Sequence, residues 1–451
     1  MKDSDRPWLV PLGGQRFAKV SVGGNSSVTE KSEQPCVLLR FVLKELNSIT
    51  IMKANSSFNR WRTATALLIP VLIVLSCGIS LTANSSFAQT CGWNIVSSPN
   101  TTSPTNFLSD VSVVAANDIW AVGGSASGSR VANPLTEHWD GAAWTIVPAP
   151  QPPGTVVSLG AVSAFSSTDV WAVGSSAIGN GPLKTFTEHW DGTQWSVVPS
   201  PSLGKIGPYP ADNSLADVVA IASNDVWAVG SATTIVAGEA LILHWDGSSW
   251  KIVPNPGANP RFYDANLLGI TAVSANDIWA VGQSTTSIEH SMIEHWDGTK
   301  WSLVRSPAFP TNVDFMECVS AISATDIWAV GSFTIPNPEG SPYQNAIIHW
   351  DGTKWSVVTS PQPDDWLNIL TSVTAISTND VWAVGLIGTG SGYEAPETLH
   401  WDGASWSVVS VPGGSQSTEL LGVAAVSSND VWTVGETASA KKTLIERFTC
   451  E

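Results

Sequence analysis

The chain has 451 residues, with 23 Trp against 21 Lys and Arg, 37 Gly and 28 Pro. That composition suits many short strands joined by turns and excludes a helix-rich protein. The formal net charge is −17, and residues 89–451 alone hold 11 Lys and Arg against 33 Asp and Glu, a balance of −22. A surface of that sign repels phosphate backbones and anionic headgroups, so nucleic acid and membrane-surface partners are not expected, whereas cations, basic proteins and neutral sugars remain compatible.

Residues 1–51 are polar and share no pattern with the rest of the chain. From Met52 the sequence reads as an export signal over 52–88. Lys53, Arg60 and Arg62 form a positive start, Ala64 to Ala83 is an uncharged and mostly apolar run, and Ser86-Phe87-Ala88 supplies the small residues that a signal peptidase reads. Met52 is therefore the expected start of translation, with 1–51 an upstream extension of the reading frame. The apolar run is about the roughly 20 residues needed to span a bilayer, so an uncleaved anchor is the alternative. Either way the charge asymmetry places residues 89–451 outside the cytoplasm.

A module then recurs to the end of the chain, first met as Asn117-Asp-Ile-Trp-Ala-Val-Gly123, Glu137-His-Trp-Asp-Gly141 and Trp144-Thr-Ile-Val-Pro148. One Trp series runs Trp120, Trp171, Trp227, Trp279, Trp328, Trp382 and Trp432; a second runs Trp139, Trp190, Trp245, Trp296, Trp350 and Trp401; a third runs Trp93, Trp144, Trp195, Trp250, Trp301, Trp355 and Trp406. Periods near 50 residues are those of propellers and similar arrays. Each unit reads as four strands. Strand a is typified by Leu215 to Ser223, strand b by Val226 to Val229, strand c by Leu241 to Trp245 and strand d by Trp250 to Val253, with Asn-Asp and Asp-Gly turns joining a to b and c to d.

The two ends of the array carry the topology. The chain enters on a lone strand d at Trp93 and leaves after strands a, b and c, between Leu421 and Phe448. The reading is an all-β, seven-bladed propeller over residues 89–451 whose last blade is completed by the N-terminal strand, because closure removes exposed sheet edges. Aligning the last blade on its neighbours puts Cys450 and Cys91 together in the c–d turn that the chain break removed. A Cys91–Cys450 disulfide is expected, worth roughly 2–4 kcal/mol and allowed by export. Cys318, in an a-type strand, reads as a buried thiol of no special reactivity.

The order Asp-Val-Trp-Ala-Val-Gly, variable loop, His-Trp-Asp-Gly-x-x-Trp-Ser-Val-Val-Pro resembles the kelch repeat of galactose-oxidase-like propellers, although the double Gly that closes strand b there survives only at Gly123-Gly124. The Asp-Gly-x-x-Trp hairpins are similar, more loosely, to the Asp-box of sialidase-type propellers. A copper site of the first family would need Tyr and His ligands converging near the axis. A sialidase site would need three Arg, and only Arg130, Arg261, Arg305 and Arg447 follow residue 89. Neither set is evident, so the resemblance implies the fold without the chemistry.

Six of the seven His are repeat residues (His138, His189, His244, His295, His349 and His400), and only His290 stands outside the pattern. A residue placed identically in every blade serves the frame, so these His, with Asp118, Asp169 and their equivalents, are expected to cap turns and link strands. No cofactor or metal motif is present, none is expected, and the balance lies against an enzyme. The a–b and c–d turns share one rim, where the sequence barely varies. The b–c and d–a loops share the other rim, which varies in length and content and is where binding residues usually sit. The candidate ligand-binding residues are Trp366 with Asp364 and Asp365, then Arg261, Phe262 and Tyr263, and Tyr209, Tyr343 and Tyr393; Phe315 also falls in this region. An aromatic plane flanked by carboxylates can stack on a sugar and accept its hydroxyl hydrogens. The expectation is an exported, monomeric propeller that binds a glycan or another extracellular ligand, with a protein–protein scaffold or cell-surface component as one alternative and a glycosidase or oxidase as another. N-terminal sequencing of the unprocessed product is expected to begin at Met52; a product beginning at Met1 would remove the export signal from its terminal position.

Overall fold

The computed structural model of the chain describes residues 90–450 apart from 128–130, 260–262, 286–288, 310–313, 336–341, 389–393, 413–417 and 438–440. Seven four-stranded antiparallel sheets follow one another, each in the order a-b-c-d, and form a seven-bladed propeller. Blade 3 is representative: strand a Asp212–Ala222, b Asp225–Thr233, c Gly238–Trp245 and d Trp250–Ile252. Blades 1 and 2 open with strands a at Thr105–Ala115 and Thr155–Ser166; those of blades 4, 5 and 6 lie at Asp264–Ser274, Asp314–Ser323 and Asn368–Ser377. Blade 7 takes strands a, b and c from Thr418–Ser427, Asp430–Thr437 and Lys442–Cys450, and its outer strand from Cys91–Ile95 at the other end of the domain. The pairing of Trp93 with Phe448 and of Cys91 with Cys450 sets that register, and the two cysteines are disulfide-bonded as the alignment required. The hydrophobic run at 64–83 lies outside the described residues.

Within a blade, strand b is buried on both faces and each neighbour is fixed to it by a specific device. Strand a carries a bulge opposite the glycine that ends the Trp-Ala-Val-Gly motif, for example between Leu215 and Asp217 against Gly230. There the backbone of strand a comes so close that a Cβ on Gly123, Gly174, Gly230, Gly282, Gly331, Gly385 or Gly435 would sit 1.9–2.2 Å from a carbonyl oxygen. Glycine is therefore required by a close approach and not by its dihedral freedom. Strand c is joined to strand d through Asp-Gly turns whose glycines have φ of +86° to +94° at Gly141, Gly192, Gly247, Gly298, Gly352 and Gly403.

Between blades the packing is aromatic. The strand-b Trp of one blade meets the strand-c Trp of the next at centroid distances of 4.9–5.1 Å and its strand-d Trp at 5.3–5.7 Å, the latter edge to face. Trp432 of blade 7 makes the same contacts with Trp139 and Trp144 of blade 1, and Trp382 of blade 6 packs on Phe448 and Trp93 of blade 7. Seven such seams close the ring. Each aromatic pair contributes about 0.5–1.5 kcal/mol beyond the area it buries. One sequence assignment changes here: Phe315, placed among the variable loops by its position after a Pro-rich segment, lies in strand a of blade 5 and is buried.

The seams also hide carboxyl groups. The residue before the repeat His or its equivalent is Glu137, Glu188, Glu294 or Glu446 in four blades, and Leu243, Ile348 or Leu399 in the other three. All four glutamates are fully buried. Glu137 accepts a hydrogen bond from the Ser98 hydroxyl and Glu294 one from the Gly257 N–H, whereas neither oxygen of Glu188 or Glu446 has a partner. Burial pushes Glu294 up to about 7 and Glu137, Glu188 and Glu446 up to about 8. From pH 4.5 to about 8 the unfolded chain has lost these protons while the folded ring still holds them, so stability falls as pH rises through that window. Below about pH 4 the exposed turn aspartates act in the opposite direction, since their N–H and hydroxyl donors hold Asp297 and Asp351 down at about 2.

Two outcomes follow from this architecture. Thermal unfolding of the wild-type ring is expected at a higher temperature at pH 5 than at pH 8, and Glu188→Leu, the residue that blade 3 carries at the same place, is expected to stabilise at pH 8 and to flatten the dependence. A melting temperature that rises toward pH 8 would contradict the buried-acid account. Cys91→Ser/Cys450→Ser is expected to cost about 2–4 kcal/mol in chemical denaturation, because the bond closes the ends of a domain-length loop; an unchanged midpoint would mean that the aromatic seams alone close the ring.

Candidate functional site: the two rims of the ring

On the rim formed by the a–b and c–d turns, the repeat residues satisfy one another. In six blades the His Nε2 lies 2.8–2.9 Å from an oxygen of the Asp that opens strand b. The same imidazole rests 4.2–4.6 Å from the strand-b indole of its own blade. Blade 7 has Arg447 in place of His; its Nε and Nη2 donate to the two carboxylate oxygens of Asp430 at 2.7 and 2.8 Å, and its guanidinium lies 4.7 Å over Trp432. The Asp of each Asp-Gly turn accepts the N–H groups of the residues two and three places on, as Asp140 does from Ala142 and Ala143. The strand-c indole donates back to the a–b turn, as from Trp139 to the Ala116 carbonyl. The repeat His and Asp are thereby bonded inside their own blades, which agrees with a framework role for them, although the buried strand-d indole N–H groups have no partner.

The opposite rim differs in kind. Trp366 stands 53% exposed in the connection between blades 5 and 6. Its loop is held by Asp364, whose Oδ1 accepts the N–H of Trp366 and of Leu367 at 2.8 and 2.9 Å, and whose own N–H donates to Asn368. Asp364 is thus partly committed to shaping the turn, while Asp365 is exposed beside the indole. The Tyr343 N–H donates to the Trp366 carbonyl at 3.0 Å, and the Tyr343 ring meets Phe315 edge to face at 6.3 Å. A backbone bond therefore joins the Tyr343 and Trp366 segments, with Asp365 the exposed chain neighbour of Trp366. Tyr263 is 69% exposed between blades 3 and 4, where its carbonyl accepts the Gly238 N–H and so lies against the loop bearing the exposed Ile235 and Val236. Tyr209 sits in a two-residue hairpin strand between blades 2 and 3. The candidates Arg261, Phe262 and Tyr393 lie outside the described residues.

Two constellations on this rim were missed as such in the sequence. His290, the one His outside the repeat, has Nδ1 3.4 Å from Asp314 Oδ1, and Asp314 Oδ2 accepts both the N–H and the hydroxyl of Ser291. A Ser, His and Asp are together, but the serine is bonded to the aspartate and to Ser306, not to the imidazole. An imidazole that does not hold the hydroxyl cannot take its proton, so the arrangement ties blade 4 to blade 5 and activates no nucleophile. Between blades 6 and 7, Glu419 is buried beside Glu394 and Glu436, and burial first, then these like charges, raise its carboxyl above the usual range. Nothing but adjacency in the folded sheet unites those three positions.

Just past the bulge, strand a carries one residue per blade that pairs with the valine before the close-approach glycine, among them Asp110, Asp217, Cys318 and Ser372. These too join blades: Asp110 accepts the Val162 N–H, Asp217 that of Ile270, and Ser372 that of Val423. Burial pushes the Cys318 thiol up to about 12, which keeps it protonated and inert, as expected for a structural cysteine. Among the described residues no group of three or more His, Cys, Asp and Glu is placed to hold a metal ion.

No protein-family profile and no curated protein matches the chain. Solved structures do resemble it. YCF48 bound to a D1 peptide aligns over 80% of this chain and 97% of its own, at 16% identity and a TM-score of 0.48. A family GH74 xyloglucanase from Xanthomonas campestris covers 76% of this chain and 53% of its own, at 12% identity and a TM-score of 0.47. The Aleuria aurantia lectin in complex with a fucosylated GlcNAc covers 69% and 99%, at 12% identity and a TM-score of 0.40. At such identities and scores, what those proteins bind is theirs alone.

Proposed function

We propose that the chain is exported by its 52–88 segment and that the ring binds an extracellular ligand, a glycan first, through the rim of variable loops. The observation that carries this reading is how exposed apolar side chains are distributed. Of fifteen large hydrophobic residues exposed on the described part of the chain, seven are the third residue of a strand d, and Phe165 alone lies on the rim of repeat turns. The other seven, Ile178, Tyr209, Ile235, Val236, Tyr263, Ile335 and Trp366, all fall on the variable rim. Apolar side chains left in water on one face of a rigid scaffold mark a contact surface. The Cys91–Cys450 bond suits an oxidising compartment, which supports export. Trp366 with the exposed Asp365, and Tyr263, offer planes and acceptors for a sugar.

A second reading has its own support. Ile178, Ile235 and Val236 are aliphatic and stack poorly on sugars, and they suit an apolar protein side chain better. The experiment that separates the two is a glycan-binding screen of the wild type beside Trp366→Ala and Tyr263→Ala. Loss of a stacking aromatic is expected to weaken sugar binding by roughly tenfold. If no sugar binds, or if both variants bind unchanged, the glycan reading fails and the protein-ligand reading takes its place. No residue on the ring is assigned a catalytic role.

A further inference from the structure

The outer circumference of the ring carries a feature that neither rim explains. Where the strand-d connection of one blade meets the Trp pair of the next, the surface folds into a groove. Between blades 4 and 5 this groove has a volume of about 450 Å³ and is lined by Val304, Arg305, Pro307, Trp350, Lys354 and Trp355. Between blades 5 and 6 its twin has about 410 Å³ and is lined by Val358, Thr359, Pro361, Trp401, Ser405 and Trp406. The apolar floors are equivalent residue for residue, Val, Pro and two Trp. The lips are not: Arg305 stands where Thr359 does, and Lys354 where Ser405 does.

That difference is local and runs against the charge of the molecule. Residues 89–451 hold 11 Lys and Arg against 33 Asp and Glu. Where Arg305 sits, blades 1, 2, 3 and 5 have Pro148, Pro199, Pro254 and Thr359, and no other seam carries a cation at both lip positions. Both side chains are exposed. The ion pairs that lysine and arginine form among the described residues are Lys251–Asp246 and Arg447–Asp430, so Arg305 and Lys354 make no direct ion pair there, although the charge of Lys354 acts on Asp351 in the neighbouring turn. Two exposed cations beside the half-buried plane of Trp350 select a ligand with one flat apolar face and an anionic edge.

We propose that the groove between blades 4 and 5 binds an acidic saccharide, with the C–H face of one hexuronate ring on Trp350 and its carboxylate between Arg305 and Lys354. The guanidinium can hold both carboxylate oxygens at once, and the ammonium adds a second charge-assisted contact. A saccharide is favoured over an acidic peptide because the half-buried Trp350 offers one aromatic plane and the volume accommodates a ring. The site is separate from the variable rim and does not rest on the reading of that rim.

The test uses the full chain and four probes measured by calorimetry at low ionic strength: an oligogalacturonate, its methyl ester, poly-glutamate and the oligogalacturonate with added salt. The acid form is expected to bind once per ring, roughly tenfold or more tighter than the ester, and to weaken as salt screens the lip charges. Arg305→Thr/Lys354→Ser converts the groove into its neutral twin without touching the packed floor, and is expected to abolish that preference. The reverse graft, Thr359→Arg/Ser405→Lys, is expected to raise the stoichiometry from one to two. Equal affinity for acid and ester, binding unaffected by the Arg305→Thr/Lys354→Ser change, or binding of poly-glutamate in preference to the saccharide would each overturn the proposal.

Discussion

The structure depends on one recurrent contact, a strand-b indole gripped by two aromatic rings of the next blade. A single blade exposes two apolar faces and cannot bury either alone, so its stability comes from its neighbours. Here the seam between neighbours is nearly the same seven times, and the imidazole of each blade covers the remaining side of its own indole. That imidazole must be held, which is why the His is bonded to the first residue of strand b. Where Arg447 replaces it in blade 7, a guanidinium performs the same two tasks, covering the indole and bonding the aspartate, with a different geometry. The substitution shows that the position asks for a flat, hydrogen-bonding cap and not for imidazole chemistry.

Uniform seams leave little freedom on one rim and much on the other. The Asp-Gly turns and the Asn-Asp turns have fixed lengths because both the aspartate caps and the indole N–H groups must reach named carbonyls and amides. The loops of the other rim have no such partners in common, and they are where exposed aromatic and aliphatic side chains accumulate. The carboxyl groups are also unevenly distributed, with Glu137, Glu188, Glu294, Glu397 and Glu446 hidden between blades and two exposed cations at one lip of the circumference.

Most of the frame was legible in the sequence because it repeats. Spacing of the Trp series gave seven blades, the complementary ends gave the closure, and alignment of the last blade placed Cys450 beside Cys91. The parts that escaped are those where the repeat is broken by one residue type. Glu188 occupies the place of Leu243 and Ile348, and the alternation of acid with aliphatic was a visible sign of an apolar environment. Phe315 read as a loop residue because the preceding connection is rich in Pro and small residues, whereas strand a of blade 5 begins earlier than the Ser-Ala-Ile-Ser signature suggested. The candidate site was legible only in outline. Trp366 and Tyr343 are 23 positions apart, and their meeting is set by a backbone hydrogen bond from the start of a strand c to a connection, which no periodicity predicts.

The composite last blade has a consequence for how the ring comes apart. In an open array of repeats the end units contact one neighbour and fray first, and unfolding travels inward from them. This ring has no end unit. Its first strand is an outer strand of the seventh sheet, and the first and last strands of the ring meet in one covalently closed hairpin. Opening any blade therefore breaks two seams at once, so the order in which local regions open is set by differences among seams and not by distance from a terminus. The seams that carry a buried carboxyl without a partner, those of Glu188 and Glu446, bear a desolvation cost that the other seams do not.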